Sequence, residues 1–279
     1  MSAVEPGLWL VATPIGNLGD MPPRAIEVLR VAGTVLCEDT RHSGRLFSHF
    51  GISGARLVVA NEHTEHDVAA VMNGALADGQ VVAVVTDAGT PGVSDPGARL
   101  VRAALDAGHA VHAVPGPAAF VTAVVMSGLP TARIAFDGFL PRSGAERRVA
   151  LTEAARERRT TVLYEAPHRL VRTVEDLRTA CGGGRQVAIA RELTKLHENV
   201  WRGTLDDAVV HVTSEEPRGE YVIVLGPAPG TEHEVSDATI AEELRTRVAA
   251  GLSKRDAVNE VTLALGVPRS RVYAGSLTL

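Results

Sequence analysis

The stretch VVAVVTDAGTPGVSDPG, residues 81–97, joins a run of small apolar residues to a long polar loop. The run predicts a strand buried on both faces, as in a parallel sheet, because no polar residue alternates with the apolar ones. The loop, residues 86–97, holds three glycines, two prolines and two aspartates. Loops of this length without regular structure are usually functional in compact domains, so we expect this one to bind a ligand.

The pattern of a strand followed by a helix continues in both directions from this stretch. Apolar runs alternate with helix-period segments, and the runs are LWLVA (8–12), TVLCE (34–38), RLVVA (56–60), VVAVVT (81–86) and AVHAV (110–114). This alternation predicts βαβ units and a parallel sheet. Right-handed crossovers then place the loops that follow the strands along one edge, where open α/β sheets bind ligands. We assign residues 1–116 to this N-terminal α/β lobe.

The pattern changes after residue 130 and predicts a second lobe with a mixed sheet. Its strand-like runs are TTVLYEA (160–166), VAIARE (187–192), NVWRGTL (199–205) and EYVIVLG (220–226). We assign residues 117–226 to this lobe and expect it to complete the ligand and acceptor site. Residues 226–237 predict a linker, and residues 238–279 predict three helices similar to a helix-turn-helix unit. The predicted fold class is therefore α/β, with two lobes and a small C-terminal helical extension.

The composition is that of an ordinary globular protein. The 279 residues are 45% apolar and 22% charged, and the net charge of −5 means that a polyanionic partner would have to meet a local basic patch. No run is typical of a membrane span or a signal peptide, which predicts a cytoplasmic protein without a membrane partner. Cys37 and Cys181 lie far apart in the sequence, so we expect neither a disulfide nor a metal site.

Two further loops rich in glycine and proline follow predicted strands, ATPIGNLGD (12–20) and PGPAA (115–119). Together with residues 86–97 they are expected to rim one cleft. The motifs of phosphate-binding loops are absent and both lysines, Lys195 and Lys254, lie elsewhere, which disfavours a polyphosphate ligand. Asp87 and Asp95 suit a cationic ligand that bears an ammonium and a sulfonium group. The loops therefore favour S-adenosylmethionine as the cofactor.

Six further segments are distinctive besides the three loops: EDTRHSGRLFSHFGI (38–52), FDGFLPR (136–142), YEAPHRL (164–170), ARELTKLHE (190–198), RGEYVIV (218–224) and RDAVNEVTLALGVPRSRVY (255–273). Together with the loops they resemble the ribosomal RNA small subunit methyltransferase I family of the tetrapyrrole methylase group. The resemblance covers nearly the whole chain and implies a two-lobed tetrapyrrole-methylase-like fold and a homodimer. It also implies S-adenosylmethionine-dependent 2′-O-methylation of a cytidine ribose in the decoding centre of 16S rRNA, in the small ribosomal subunit.

The resemblance further implies which residues contact the cofactor. Carried over position by position, these are Pro14, Asp87, Ala88, Gly89, Thr90, Val93 and Ala118 in the three loops, with Tyr164 and Glu165 from the second lobe.

Charged residues that follow predicted strands are the candidates for catalysis. We expect Glu192 or Lys195 beside the target hydroxyl, with Lys195 either stabilising charge on oxygen or, if it is neutral, acting as the base. An ordinary solvated ion-pair cluster is the alternative for these two residues. Glu165 is the third catalytic candidate.

Contact with RNA requires basic groups on the surface. The candidates are Arg41, His42, Arg142, Lys254, Arg255 and Arg269, and Arg142 belongs to a run with Arg147, Arg148, Arg156, Arg158 and Arg159. A solvated helix face is the alternative for the basic runs, and Asp39, beside Arg41, is also suited to capping a helix.

Two other functions are compatible with the sequence. The first is a methyltransferase acting on a tetrapyrrole of cobalamin or sirohaem synthesis through the same cofactor cleft. The second is a non-enzymatic RNA-binding factor for ribosome assembly, which need not bind the methyl donor.

Overall fold

The apolar runs of the N-terminal lobe form five parallel strands in the computed structural model, which describes residues 4–60, 64–229 and 236–277 apart from the side chains of Glu65 and His66. The strands are β1 (Gly7–Val11), β2 (Thr34–Cys37), β3 (Arg56–Val59), β4 (Val81–Val84) and β5 (Val111–Val114). Their order in the sheet is β3-β2-β4-β1-β5, and every neighbouring pair is parallel. The predicted βαβ units are therefore confirmed.

The helices of this lobe cover both faces of the sheet. They are α1 (Pro23–Val31), α2 (Thr40–His49), α3 (Glu65–Ala77) and α4 (Ala98–Asp106). Alternate residues of a strand point to opposite faces, so Val82 packs in a core with Met72 of α3 and Leu100 of α4, whereas Ala83 packs in a core with Val28 of α1. Burial on both faces explains why the central strands are apolar throughout.

The second sheet is mixed, as predicted, and has the order β6-β7-β10-β8-β9. Its strands are β6 (Ile134–Phe139), β7 (Thr160–Glu165), β8 (Gln186–Arg191), β9 (Asn199–Thr204) and β10 (Tyr221–Leu225). Only β6 and β7 are parallel, and β10 is antiparallel to both of its neighbours. The start of β10 consequently lies at the same edge as the ends of β7 and β8.

Four helices enclose this sheet. They are α5 (Ala119–Ser127), α6 (Gly144–Arg156), α7 (Pro167–Cys181) and α8 (Leu205–Thr213). Ala123 and Val124 of α5 share a core with one face of the sheet, and Leu170 of α7 and Leu205 of α8 share a core with the other. Because α5 packs on the second sheet directly after β5, we propose that the boundary between the lobes lies near residue 116.

The residues from 229 onward form a second compact unit. Its helices are α9 (Asp237–Ala249), α10 (Lys254–Leu265) and α11 (Arg269–Ser276). Ser253 accepts a hydrogen bond from the Asp256 backbone and caps α10, while Gly266 ends α10 in the left-handed conformation. The predicted C-terminal helices are therefore confirmed. Residues 230–235 of the predicted linker lie outside the described residues.

No helix within the described ranges combines the length and the hydrophobicity that crossing a lipid bilayer requires.

The buried side chain of Arg185 links separate segments of the second lobe. Arg185 is only 4% exposed, and its guanidinium donates to the carbonyl oxygens of Gly226 (2.6 Å), Glu157 (3.1 Å), Ala154 (3.3 Å) and Ala155 (3.4 Å). Three of these acceptors belong to the C-terminal end of α6 or the residue that caps it, where helical carbonyls have no partners within the helix. Arg185 thus ties α6 to the segment that follows β10.

Arg185→Ala is expected to lower the free energy of unfolding by about 3 kcal/mol, because it leaves several buried carbonyls without a donor. Urea unfolding followed by the intrinsic fluorescence of Trp9 and Trp201 measures this loss. Arg148→Ala removes an exposed arginine of α6 and is the matched control, with an expected change within about 0.5 kcal/mol. Equal effects of the two substitutions would contradict the structural role of Arg185.

Candidate active site

The loops after β1 and β4 are bound to each other by their backbones. The Thr13 N–H donates to the Gly89 carbonyl (2.9 Å), and the Gly89 N–H donates to the Thr13 carbonyl (3.1 Å). The Thr13 hydroxyl donates to the carbonyl of Thr86 (3.0 Å), and the Thr90 hydroxyl donates to that of Pro117 (3.1 Å) in the third loop. All three glycine- and proline-rich loops are therefore joined into one surface.

This surface forms one side of a cavity of about 310 Å³ between the edges of the two sheets. The loops after β1 and β4 contribute Ile15, Ala88, Gly89, Thr90, Val93 and Asp95. The other walls include Ala118, Phe120, Phe139, Tyr164, Leu193 and Tyr221. The predicted cleft at the carboxyl ends of the strands is thus present, and its size suits a small organic ligand.

Aromatic side chains form the wall on the side of the second lobe. Phe136 and Phe139 lie 5.0 and 5.6 Å from Tyr164 between ring centroids, and Phe120 lies 4.7 Å from Phe136. The Tyr164 hydroxyl accepts a hydrogen bond from the Phe120 backbone N–H (3.2 Å). This bond fixes the start of α5 against β7, so the aromatic wall is preorganised.

Three carboxyl groups cluster on the side of the first lobe. The Thr86 hydroxyl donates to Glu38, which directly follows β2. The charge of Asp87 acts on both Glu38 and Asp95, and the charge of Glu38 acts on Asp95. Burial, together with the charge of Glu38, raises the pKa of Asp95 to about 7, and burial also raises the pKa of Glu38. One oxygen of Asp87 is buried without a hydrogen-bond partner. Such a cluster attracts a cation, because positive charge relieves the repulsion between the carboxylates.

A second charged cluster lies at the end of β8. The Lys195 ammonium donates to Glu192 (2.9 Å) and to Glu220 (2.8 Å), and Glu220 lines the cavity. Desolvation opposes the charged forms, but these bonds hold the pKa of Lys195 above and that of Glu192 below its ordinary value. These two carboxylates stabilise the charged form of Lys195, so the contacts favour the predicted role of stabilising charge on oxygen over that of a neutral base. Lys195 is a fixed ammonium group at the edge of the cavity.

Glu165 lines the cavity but directs its carboxylate into the protein. Its side chain is fully buried, and its oxygens accept from the Thr173 hydroxyl (2.5 Å) and the Ala166 N–H (2.9 Å) and pair with Arg169 (3.2 Å). These contacts use both oxygens and anchor the start of α7. The geometry supports a positioning role for Glu165 more than direct proton transfer.

The structure brings most of the predicted cofactor contacts together. Ala88, Gly89, Thr90, Val93, Ala118 and Tyr164 all line the cavity. Pro14 and Asp87 do not line it but precede the lining residues Ile15 and Ala88 in the same loops. The sequence did not single out Phe120, Phe139 or Tyr221, because ordinary core aromatics have the same local pattern.

The predicted RNA-contacting residues are mostly exposed. Arg41 is 87% exposed and pairs with Asp39 (2.9 Å), which also caps α2, so the capping interpretation of Asp39 is confirmed. His42 and Arg142 are exposed in the first unit, as are Lys254, Arg255 and Arg269 in the second.

Arg147 is the exception in the arginine-rich run. It is 4% exposed and binds Asp176 (2.8 Å), Thr173 (3.0 Å) and the carbonyl of Pro141 (2.9 Å). Its assignment to a basic surface is wrong, because α6 directs this arginine into the core, where the Asp176 carboxylate compensates its charge.

Among the described residues, no group of three or more histidine, cysteine, aspartate or glutamate side chains is arranged to hold a metal ion.

Comparison with known proteins gives consistent results. A family model described as Tetrapyrrole (Corrin/Porphyrin) Methylases matches residues 7–209. The chain is 43% identical to the ribosomal RNA small subunit methyltransferase I of Synechocystis sp. over 273 residues, covering 98% of each protein. It is 44% identical to the protein of that name from Micromonospora olivasterospora over 270 residues, covering 95% of this chain and 85% of the relative.

Solved structures share the fold at low sequence identity. The methyltransferase CobJ matches with a TM-score of 0.60 and 22% identity, covering 80% of this chain and 94% of that one. A uroporphyrin-III C-methyl transferase from Thermus thermophilus, complexed with S-adenyl homocysteine, matches with a TM-score of 0.57 and 18% identity, covering 79% and 97%. The predicted tetrapyrrole-methylase-like fold is confirmed.

Asp95→Asn is expected to raise the melting temperature more at pH 8 than at pH 5. Between about pH 4 and 7 the folded protein keeps a proton on Asp95 that the unfolded chain has lost, so this carboxyl makes the protein less stable as pH rises, with no further change above that window. The neutral amide of asparagine removes this loss of stability. Thermal unfolding across the pH range measures the difference, and Asp78→Asn, at an exposed position of the same lobe, is the control. An effect of Asp95→Asn on the melting temperature that does not vary with pH would contradict the raised pKa of Asp95 in the folded protein.

Proposed function

We infer the function from one premise: the chain belongs to the tetrapyrrole methylases and, within them, to the ribosomal RNA small subunit methyltransferase I family. It is an S-adenosylmethionine-dependent methyltransferase of small-subunit ribosomal RNA. We propose that it methylates the 2′-oxygen of a cytidine ribose in the decoding centre of 16S rRNA.

One observation carries the proposal for this site: the cavity is bordered by the backbone of the loops, by aromatic side chains and, through Asp95, by the cluster of carboxyl groups. Glycine at position 89 has φ +89 and lets the main chain border the cavity, where backbone amides and carbonyls can bind a nucleoside-like ligand. Asp87 and Asp95 suit the ammonium and sulfonium charges of S-adenosylmethionine. The residues present therefore fit this cofactor.

When bound, S-adenosylmethionine would supply a methyl group on a sulfonium, and its transfer to the ribose oxygen would leave the thioether and release the hydroxyl proton to solvent. The protein has to align the oxygen with the methyl group and exclude water. We assign donor binding to Pro14, Asp87, Ala88, Gly89, Thr90, Val93, Ala118 and Tyr164. The carboxylates lose favourable interaction as the positive charge on sulfur disappears, so alignment is the larger contribution.

We place the acceptor hydroxyl beside the cluster of Lys195 and Glu192. A fixed ammonium stabilises negative charge that develops on the ribose oxygen as its proton leaves. Because Glu192 is bound to Lys195 and to the Glu220 backbone (2.9 Å), it holds the ammonium in place. Glu165 contributes by anchoring the start of α7 at the cavity wall.

The RNA has to be held by basic groups outside the cavity. We propose that Arg41, His42 and Arg142 contact phosphates, and that the C-terminal helices contribute Lys254, Arg255 and Arg269. The enzyme is proposed to act as a homodimer in the cytoplasm, where its substrate is found.

Transfer of a labelled methyl group to purified small ribosomal subunits that lack the modification tests the function. Nuclease digestion and mass analysis should identify 2′-O-methylcytidine. Donor binding without modification of any ribosomal substrate would favour a tetrapyrrole acceptor, and RNA binding without donor binding would favour an assembly factor.

Asp87→Ala and Lys195→Ala are expected to have different kinetic effects. Asp87→Ala should weaken S-adenosylmethionine binding roughly tenfold, since it removes a carboxylate directly behind the cavity lining, whose charge attracts the cationic donor. Lys195→Ala should lower kcat roughly 100-fold with little change in donor affinity, since its charge acts on the acceptor oxygen. Calorimetry and single-turnover transfer separate the two. Unchanged donor affinity in the first variant, or full activity in the second, would contradict the assignment.

A further inference from the structure

The loop between β8 and β9, residues 192–198, presents an apolar side chain to solvent. Leu196 is 93% exposed, more than any other large apolar residue in the part of the chain that the structure describes. The next most exposed, Leu263, is 84% exposed and lies in α10. A single exposed apolar side chain is not by itself a sign of an interface, so the role of Leu196 depends on where its loop holds it.

The β8–β9 loop is rigid. The Lys195 N–H donates to the Glu192 carbonyl (3.0 Å), the Glu198 N–H donates to that of Lys195 (3.1 Å), and the Thr194 N–H donates to the Glu198 carboxylate (2.6 Å). Glu192 and Thr194 have φ of +50° and +65°, which is unfavourable for residues with side chains. Backbone strain of this kind persists where the surrounding contacts impose it, and it concentrates at functional sites. The loop therefore holds Leu196 in a defined position.

The loop also forms part of the edge of the cavity. Leu193 lines the cavity, as does Glu220, which binds the Lys195 ammonium. On the opposite side, the Asn17 N–H donates to the Thr194 hydroxyl (3.1 Å) and joins the loop to the first lobe. Leu18, next to Asn17, is 41% exposed. Two exposed leucines thus occupy the two loops that meet at this edge.

Enzymes that act on a base in a stack move the target nucleotide out, and leucine is among the apolar residues that wedge between bases. The same movement brings the ribose of that nucleotide out of the strand, where it can enter a cavity of this kind. We propose that Leu196 is such a wedge: it enters the base stack beside the target nucleotide and keeps that nucleotide unstacked at the cavity. This role rests on the proposed function, because it requires an RNA acceptor. Leu196 is then a positioning residue that acts through the RNA.

The position of Leu196 indicates which molecule it contacts. Leu193 of the same loop lines the cavity, so the nucleotides on either side of a target bound there come close to Leu196. The neighbouring ammonium of Lys195 already binds two carboxylates. A base step matches one projecting apolar side chain on a rigid loop.

The first test compares Leu196→Ala with the wild type on small subunits that lack the modification. We expect kcat/KM for methyl transfer to fall roughly tenfold or more, because the unstacked state is no longer held, while S-adenosylmethionine affinity stays unchanged. Leu196→Met preserves an apolar side chain of similar size and should restore activity. Leu105→Ala, at a 53% exposed position of α4, is the matched control and should transfer normally.

The second measurement separates a wedge from any other contact. In subunits reconstituted with 2-aminopurine beside the target, fluorescence should rise when the wild type binds and stay low with Leu196→Ala. Replacing the base that stacks on the target with an abasic residue should restore transfer by Leu196→Ala. Equal kcat/KM for the variant and the wild type, or a loss that the abasic substrate does not restore, would overturn the wedge. A wild type that methylates no ribosomal RNA would overturn the proposed function instead.

Discussion

The backbone pairing between Thr13 and Gly89 is the constraint on which the site depends. It extends the contact between β1 and β4 beyond the sheet by one antiparallel bridge, so that two loops without regular structure become one surface. The Thr13 hydroxyl is bound to Thr86 and is 1% exposed, which makes the bridge independent of solvent. Because this surface is made mainly of backbone, side chains of the second lobe can determine which acceptor binds without disturbing the surface proposed for the donor.

The two sides of the cavity carry different charged groups. The first lobe supplies carboxyl groups, of which Asp95 titrates near neutral pH, whereas the second lobe places the ammonium of Lys195 between two carboxylates. Because these carboxylates outweigh the single positive charge, the second lobe does not repel a cationic donor. The ammonium can stabilise negative charge only on an atom that lies directly beside it, as proposed for the acceptor oxygen.

The sequence predicted the strands, the three loops and the terminal helices, because hydrophobic periodicity and glycine- and proline-rich loops are local signals. It did not predict properties that depend on distant partners. Arg147 has the local pattern of a surface arginine, yet its partner lies in α7. The protonation of Lys195 depends on Glu220, which is 25 residues away. Leu196 is exposed on a loop in which Glu192 and Thr194 have positive φ, and no residue type in the loop predicts that conformation.

The structure also explains why ARELTKLHE and RGEYVIV occur in the same chain. The Glu192 side chain packs over Gly219, where a Cβ would lie 2.5 Å from the Glu192 carboxyl carbon and where φ is +85. That close approach lets Glu192 accept the Glu220 N–H while its backbone donates to the Glu220 carbonyl (3.0 Å). Any larger residue at 219 would displace Glu192, and with it Lys195. Glycine at 219 is therefore required for the charge at the acceptor wall, although it touches no reactant.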